Sequence, residues 1–468
     1  MQGLPKHLKP RLDLCLRVTP RGLEVSLGGN PLGSVPLTLG NIHALLEAME
    51  PQLLVHGVAV RMAEATLRTP LGFEALLEVI KTNMIHCTFP RTNATTPLRS
   101  RIALQSMDAE VHFVRNATLM GGCNHAHVLA DRYRGIPALI AMPGPSLDMD
   151  RLRELRQGRV LLAAGRAAGK LLSAGVDPDL VYMQDVNARA WDCNFAGLDG
   201  QRSGAALVAN PLGKLYAYHG LFARTFKAWN LYPFERDRFP KLEEIPPSSL
   251  SGAYSLARLL GCDPIIVIGN DGGDPVPPAE GRGVASMTSL GHRQEDGECV
   301  FEPVALDRRL YLRFADEFSV RTSNEYVCGA QWLKARARRD FEAHGLETFD
   351  ISSTGLCRFN ATIRDGAGLH GAGPAAALPP LPRYEAEADP GDYLRHKRRA
   401  YAAVTRVLER GELPGSVFHK PYSCLLTGTA MAREDAREPR DGDMDIIRAN
   451  AAEMLDHADA ALAGAGAE

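Results

Sequence analysis

Along the middle of the chain, short apolar runs alternate with segments whose apolar residues recur at helical spacing. The runs are "PALIAM" (137–142), "RVLLAA" (159–164), "LVYMQD" (180–185), "AALVAN" (205–210), "PIIVIGND" (264–271) and "LETFDIS" (346–352). Continuous rather than alternating hydrophobicity is what strands buried on both faces require. Between the runs the spacing predicts helices over Leu147 to Gln157, Ala167 to Ala174, Ala253 to Leu260 and Glu325 to His344. Strand and helix in alternation predict an α/β unit, a mostly parallel sheet with helices on both faces. Upstream, "LEVSLG" (23–28) and "LLVHGVAV" (53–60) read as strands, while "GFEALLEVIKTNMI" (72–85) and "NATLMGGCNHAHVLADRYRG" (116–135) read as helical.

The expected organisation is an α+β region over 1–130, a central domain over 131–364, a Gly/Ala/Pro-rich linker over 365–392 and a helical region over 393–468. The linker composition, "DGAGLHGAGPAAALPPLPRYEAEADPGD", cannot supply a packed element. Beyond it, "YLRHKRRAYAAVTRVLERGELPG" and "DIIRANAAEMLDHADAALAGAGAE" both read as helices.

With 468 residues, 45% hydrophobic and 23% charged, the chain is composed like a globular protein of two or three units. A net charge of −2 gives no support to bulk nucleic-acid or membrane binding. The first residues lack a signal-peptide core and no stretch of about 18 apolar residues occurs, so no transmembrane segment and a cytoplasmic location are expected. Nine cysteines are scattered without CxxC pairs, which fits free thiols in a reducing compartment. "CNHAH" (123–127) has no second ligand pair at metal-site spacing, so no metal is expected.

Four polar strand ends carry the candidate chemistry. In "PGPSLD" (143–148), Ser146 is placed as a helix N-cap and Gly144 can admit a ligand to the backbone; a capped turn and a nucleotide-binding turn explain it equally well. Asp185 and Asn187 end the next Pro-marked strand, where a carboxylate and an amide can hold ribose, a base or hydrated Mg²⁺, or simply cap the next element. Ser251 and Gly252 open a helix with a small first turn that suits an anion. That helix feeds the strongest apolar run, which ends in Asn270, Asp271, Gly272, Gly273 and Asp274. Finally, "DISSTG" (350–355) offers hydroxyl and backbone donors at Ser352, Ser353, Thr354 and Gly355. His219 and His292 are general-base candidates only as lone histidines in loops. Walker A, Gly-x-Ser-x-Gly and GxGxxG patterns are absent.

Taken in order, "PALIAMPGPSLD", "GVDPDLVYMQD", "LSGAYSLARLLGCDPIIVIGND" and "FDISSTG" resemble the Maf (motility-associated factor) flagellin glycosyltransferases and the related MptE-like family, over about 135–360. The resemblance implies a Rossmann-like, type-A-like glycosyltransferase domain. It would move a nonulosonic, sialic-acid-like sugar from a CMP-activated donor to Ser or Thr of flagellin or a similar acceptor protein, with no cofactor required. Gly144, Pro145, Ser146 and Leu147 would face the nucleotide, Asp185 with Asn187 would lie in the donor pocket, and Ser251 and Gly252 would present the anion-binding helix start. Asn270, Thr354 and Gly355 complete the expected binding residues, and Asp271 is nominated as base, with His219 and His292 as alternatives. The chain differs from the family pattern in reading Leu-Ser-Gly before the second helix, Asn-Asp-Gly-Gly after the strong strand and Asp-Ile-Ser-Ser-Thr-Gly at the last strand end. Two other readings remain: an MptE-like 6-hydroxymethylpterin pyrophosphokinase using Mg-ATP, and a non-catalytic nucleotide- or carbohydrate-binding scaffold.

Overall fold

A computed structural model describes residues 14–48, 58–82, 106–228, 249–276, 293–301, 309–313, 319–352, 364–365, 391–412 and 442–465, apart from positions 28, 68, 122, 199, 296 and 297. The strands in chain order are β1 (Leu14–Thr19), β2 (Gly22–Leu27), β3 (Asn30–Val35), β4 (Val58–Ala63), β5 (Asn124–His125), β6 (Ala138–Ala141), β7 (Val160–Ala164), β8 (Leu180–Met183) and β9 (Ser203–Ala209). They continue as β10 (Phe222–Lys227), β11 (Ile265–Ile268), β12 (Asp274–Val276), β13 (Arg293–Glu295), β14 (Glu298–Phe301), β15 (Arg309–Arg313), β16 (Ser319–Ser323), β17 (Thr348–Asp350) and β18 (Arg364–Asp365). The helices are α1 (Leu39–Ala48), α2 (Glu64–Leu67), α3 (Pro70–Thr82), α4 (Ser106–Gly121), α5 (Met149–Leu155), α6 (Ala167–Ser173), α7 (Ala188–Phe195), α8 (Leu215–Tyr218), α9 (Ser249–Leu259), α10 (Asn324–His344), α11 (Gly391–Glu409) and α12 (Asp443–Ala465).

Among the described residues, nine parallel strands form the main sheet in the order β18-β17-β11-β6-β7-β8-β9-β10-β5. The six apolar runs all become strands of it, and β6, β7, β8 and β11 are buried along their whole length. Their side chains alternate between two cores, because successive residues of a strand point to opposite faces. Ala138, Ile140, Leu180, Tyr182, Ile265 and Val267 join one cluster with α9 and α10 residues such as Ala253 and Leu333. Leu139, Ala141, Val181, Met183, Ile266 and Ile268 join the other with Val114 of α4, Leu152 of α5, Trp191 of α7, Tyr401 of α11 and Met454 of α12. The expected doubly covered α/β architecture is therefore present, with a mixed sheet and C-terminal helices attached.

That mixed sheet has the order β13-β14-β4-β1-β2-β3. It takes two strands from 293–301, and conversely β5 and α4 from the first 130 residues pack with the main sheet. The boundary expected at 130 thus does not separate the sheets, because strand pairing joins segments far apart in sequence. A third sheet, β12-β16-β15, stands next to the end of β11. Most of the expected linker lies outside the described residues. Among the described residues, no helix is long and apolar enough to cross a membrane.

Candidate active site at the carboxyl edge of the sheet

Because the strands are parallel, the residues that follow β6, β7, β8, β9, β11 and β17 share one edge, where open α/β sheets place ligands. Three of these loops are locked together. After β6, the Gly144 N–H donates to the Gly269 carbonyl at 2.9 Å, and both the N–H and the hydroxyl of Ser146 donate to Asp271 Oδ2 at 2.8 Å. After β11, the Asn270 N–H donates to Ser352 Oγ at 2.7 Å and its Nδ2 donates to Asp350 Oδ2 at 3.2 Å. After β17, the Ser352 N–H closes back onto Asp350 Oδ1 at 2.9 Å. Thr322 of β16 donates to the Gly272 carbonyl, tying the third sheet to the same loop.

These bonds correct several expectations. Ser146 is not the N-cap of α5; Asp148 is, accepting from the N–H groups of Asp150 at 2.8 Å and Arg151 at 3.0 Å. Those two bonds also lower the Asp148 carboxyl below its usual range. A capped helix start with an ionised aspartate is a poor seat for phosphate. Gly144 does not leave room for a ligand: a Cβ there would lie 2.2 Å from Asp271 Oδ2 and 2.4 Å from the Gly269 carbonyl oxygen. Pro145 is exposed, whereas Leu147 packs against the core. Asp271 is only 1% exposed, so in this state its carboxylate positions the turn rather than facing solvent as a base.

Asp185 is exposed at the end of β8, and the protein crowded around it raises its carboxyl, opposed by the Asn187 N–H at 3.3 Å and by the nearby Arg166. Asn187 is committed elsewhere, capping α7 through the Arg189 N–H at 2.9 Å. Ser251 is buried inside the first turns of α9, and the tip of the Tyr182 ring covers Gly252, so neither offers the open helix start expected from the sequence. His219 precedes β10 and therefore lies at the amino edge, across the sheet from Asp271. His292, Thr354 and Gly355 fall outside the described residues.

Sequence reasoning missed other residues at this edge. Exposed Arg166 follows β7 near Asp185, and Lys170 of α6 reaches the Pro143 carbonyl at 2.6 Å, beside the Gly144 turn. Fully buried Asn116 of α4 donates to the carbonyls of Pro211 (2.6 Å) and Gly213 (2.8 Å) and accepts from the Tyr216 N–H (2.9 Å), fixing the loop after β9. Its signal was an amide one helical turn from a histidine, His112, both buried on one face of α4. Among the described residues, no three His, Cys, Asp or Glu side chains are grouped to hold a metal ion. In "CNHAH", burial drives His125 down to about 3, and its ring stacks on His127 at 5.1 Å.

Asp350 is the most perturbed carboxyl at the edge. Burial pushes it up to about 6, Asp271 adds to the rise, and the bonds from Ser352 and Asn270 oppose it. An unfolded aspartate titrates near about 3.9, so the folded protein holds this proton more tightly. Asp350 therefore contributes stability below about pH 4 that is lost as pH rises through about 6, on the order of 3 kcal/mol. In urea unfolding at pH 4.5 and pH 7.5, Asp350→Asn should gain stability relative to the wild type at the higher pH. An equal difference at both pH values would show that Asp350 titrates normally.

This edge gathers the strand-end loops of an α/β fold, braced around the Gly144 to Ser146 turn. Residues 112–276 match the model of the family described as 6-hydroxymethylpterin diphosphokinase MptE-like, and the loops after β6, β7, β8, β9 and β11 lie within the matched segment. The chain is also similar to the solved structure of MAf glycosyltransferase from Magnetospirillum magneticum AMB-1, with 13% identity, 92% of this chain and 68% of that chain covered, and a TM-score of 0.41. No curated protein matches the chain.

Proposed function

We propose that the protein is a cytoplasmic glycosyltransferase that moves a nonulosonic, sialic-acid-like sugar from its CMP-activated form to a Ser or Thr hydroxyl of flagellin or a similar acceptor. The observation that carries this reading is the interlocked edge: the Gly144 to Ser146 turn is fixed by Asp271, with Arg166, Lys170 and Asp185 at neighbouring strand ends. The order of the sequence motifs supports the same reading. Transfer breaks the bond from the anomeric carbon to the CMP phosphate oxygen and forms one to the acceptor oxygen, whose proton leaves to a base. Arg166 and Lys170 are suited to stabilise the departing phosphate, a role that fixed cations perform without further reorganisation. Asp271 acts as a positioning residue that holds the turn beneath the donor. A single phosphate needs no divalent cation, whereas a triphosphate does.

The description of the matched family favours one second reading, transfer of diphosphate from Mg-ATP to a hydroxymethylpterin. Thermal melting separates the two. CMP or a CMP-sugar without metal, at about 100 times its Kd, should add about 2.7 kcal/mol and raise Tm by about 2 °C or more. Stabilisation only by Mg-ATP or pterin would reject the transferase reading. No response to any of these ligands would leave the scaffold.

A further inference from the structure

The chain leaving β8 is bonded at successive residues up to Asp185. The Met183 carbonyl accepts from the Asn210 N–H at 2.9 Å, the Gln184 carbonyl from Asn210 Nδ2 at 3.0 Å, and the Asp185 carbonyl from the Trp191 indole N–H at 2.7 Å. The next residue, Val186, bonds the ring of His112 through its backbone. Loops run over the surface, where water can satisfy a carbonyl, but here protein donors take that place. The Asp185 side chain itself is exposed, and its Oδ1 accepts from the Asn187 N–H at a long 3.3 Å.

The donor to Asp185 is held in turn. Trp191 of α7 is fully buried and lies against the loop after β9, where a Cβ on Gly213 would stand 2.5 Å from its Cζ2 and 2.7 Å from its Nε1. Its indole stacks on Tyr218 at 6.4 Å with the planes 14° apart. The neighbouring Asp192 accepts from Lys214 Nζ at 2.8 and 3.0 Å and from the Tyr218 hydroxyl at 2.5 Å, closing the other side of the ring. The loop under the indole is gripped by α4 at three consecutive carbonyls. Asn116 Nδ2 donates to Pro211 at 2.6 Å and to Gly213 at 2.8 Å, while His112 Nδ1 donates to Leu212 at 3.0 Å. A continuous chain of contacts thus runs from α4 through Gly213 and Trp191 to the main chain of Asp185. Sites that bind precisely hold their contacting groups with a supporting layer of packed, hydrogen-bonded residues of this kind.

We propose that Trp191 is a positioning residue for Asp185, anchored by Gly213 and Asn116. Its indole N–H fixes the Asp185 main chain, so the exposed carboxylate meets a hydroxyl or amino group of the ligand without first being ordered. The ligand part of this assignment rests on the reading above of the edge as a binding site. The bracing stands on the hydrogen bonds alone.

The test compares the full chain as wild type, Trp191→Phe, Asp185→Ala and the double variant, by calorimetric titration with CMP and with Mg-ATP and by amide hydrogen exchange without ligand. Phenylalanine keeps an aromatic ring between Gly213 and Tyr218 but has no N–H to donate. Trp191→Phe should weaken CMP binding by about 5-fold to 10-fold, the loss of one neutral hydrogen bond. In the Asp185→Ala background the same change should weaken it by less than about 2-fold, because its effect runs through that carboxylate. Exchange over residues 184–190 should quicken by about 10-fold in Trp191→Phe, with α10 unchanged. Equal losses of affinity with and without Asp185 would make Trp191 a general support of the edge and overturn the assignment. Exchange no faster than in the wild type would overturn it as well, since other groups would then fix the chain. Unchanged affinity in Trp191→Phe, in a protein that binds CMP, would overturn it and leave the transferase reading intact. In a protein that binds Mg-ATP but ignores CMP, the same non-additive pattern read with Mg-ATP would sustain the assignment and remove the transferase reading. Wild-type binding to neither ligand would reject both.

Discussion

Replacing Asp271 with alanine should cost about 3 kcal/mol of stability and weaken CMP binding by about 10-fold or more. The buried carboxylate accepts both the N–H and the hydroxyl of Ser146 on one oxygen, across 125 residues of sequence. Alanine leaves these donors facing an apolar gap, and the turn between β6 and α5 loses the contact that sets its height above the sheet. Asp271→Asn keeps an acceptor oxygen and should retain roughly half of the stability lost by alanine. Urea unfolding followed at several protein concentrations measures the first effect, and CMP titration the second. A loss below about 1 kcal/mol for alanine would mean that the Ser146 donors find other partners and that Asp271 does not hold the turn.

The second large effect is expected for Gly144→Ala. The new methyl would stand 2.2 Å from Asp271 Oδ2 and 2.4 Å from the Gly269 carbonyl oxygen. A flexible side chain can yield to such a contact, but the Gly269 carbonyl is the acceptor for the Gly144 N–H and follows directly on β11. Either the β6 turn or the β11 end must move, at roughly 3 kcal/mol or more. Gly220→Ala serves as the control, since nothing lies within 4 Å of its Cβ position, and it should stay within about 0.5 kcal/mol of wild type. Combining Gly144→Ala with Asp271→Ala removes one of the two collisions. The pair should therefore cost less than the sum of the singles by about 1 kcal/mol, a coupling that a double-mutant cycle reads directly. Strict additivity would place the strain of Gly144→Ala entirely on the Gly269 carbonyl.

The two variants also separate roles that the sequence alone had merged. "PGPSLD" reads equally as a capped turn and as a nucleotide-binding turn, and the structure makes it a braced turn whose cap is Asp148 and whose glycine is required by a carboxylate. Asp271 looks like an available acid in a glycine-rich loop, yet it is almost fully buried. Asn187 and Ser251 show the same pattern: each polar residue has a local or packed partner that composition does not reveal. Conversely, Asp350 lies inside the apolar run "LETFDIS", and its burial, which raises the carboxyl to about 6, leaves no mark in residue type or spacing.

By itself the sequence determined six central strands of the main sheet, the helices between them and their layering. Continuous apolar runs demand strands covered on both faces, and the helical spacing between them favours parallel connections, so the six runs fit a parallel sheet in a layered α/β unit. These are short-range signals, written in periodicity and in turn residues. Only the tertiary structure decided which strand ends are neighbours and which polar atoms they satisfy. Asp271 reaches Ser146 across 125 residues, and Asn270 reaches Asp350 and Ser352 across 80 and 82. Hydrogen bonds between loops depend on strand order and on distances of a few tenths of an ångström, and neither leaves a period in the sequence.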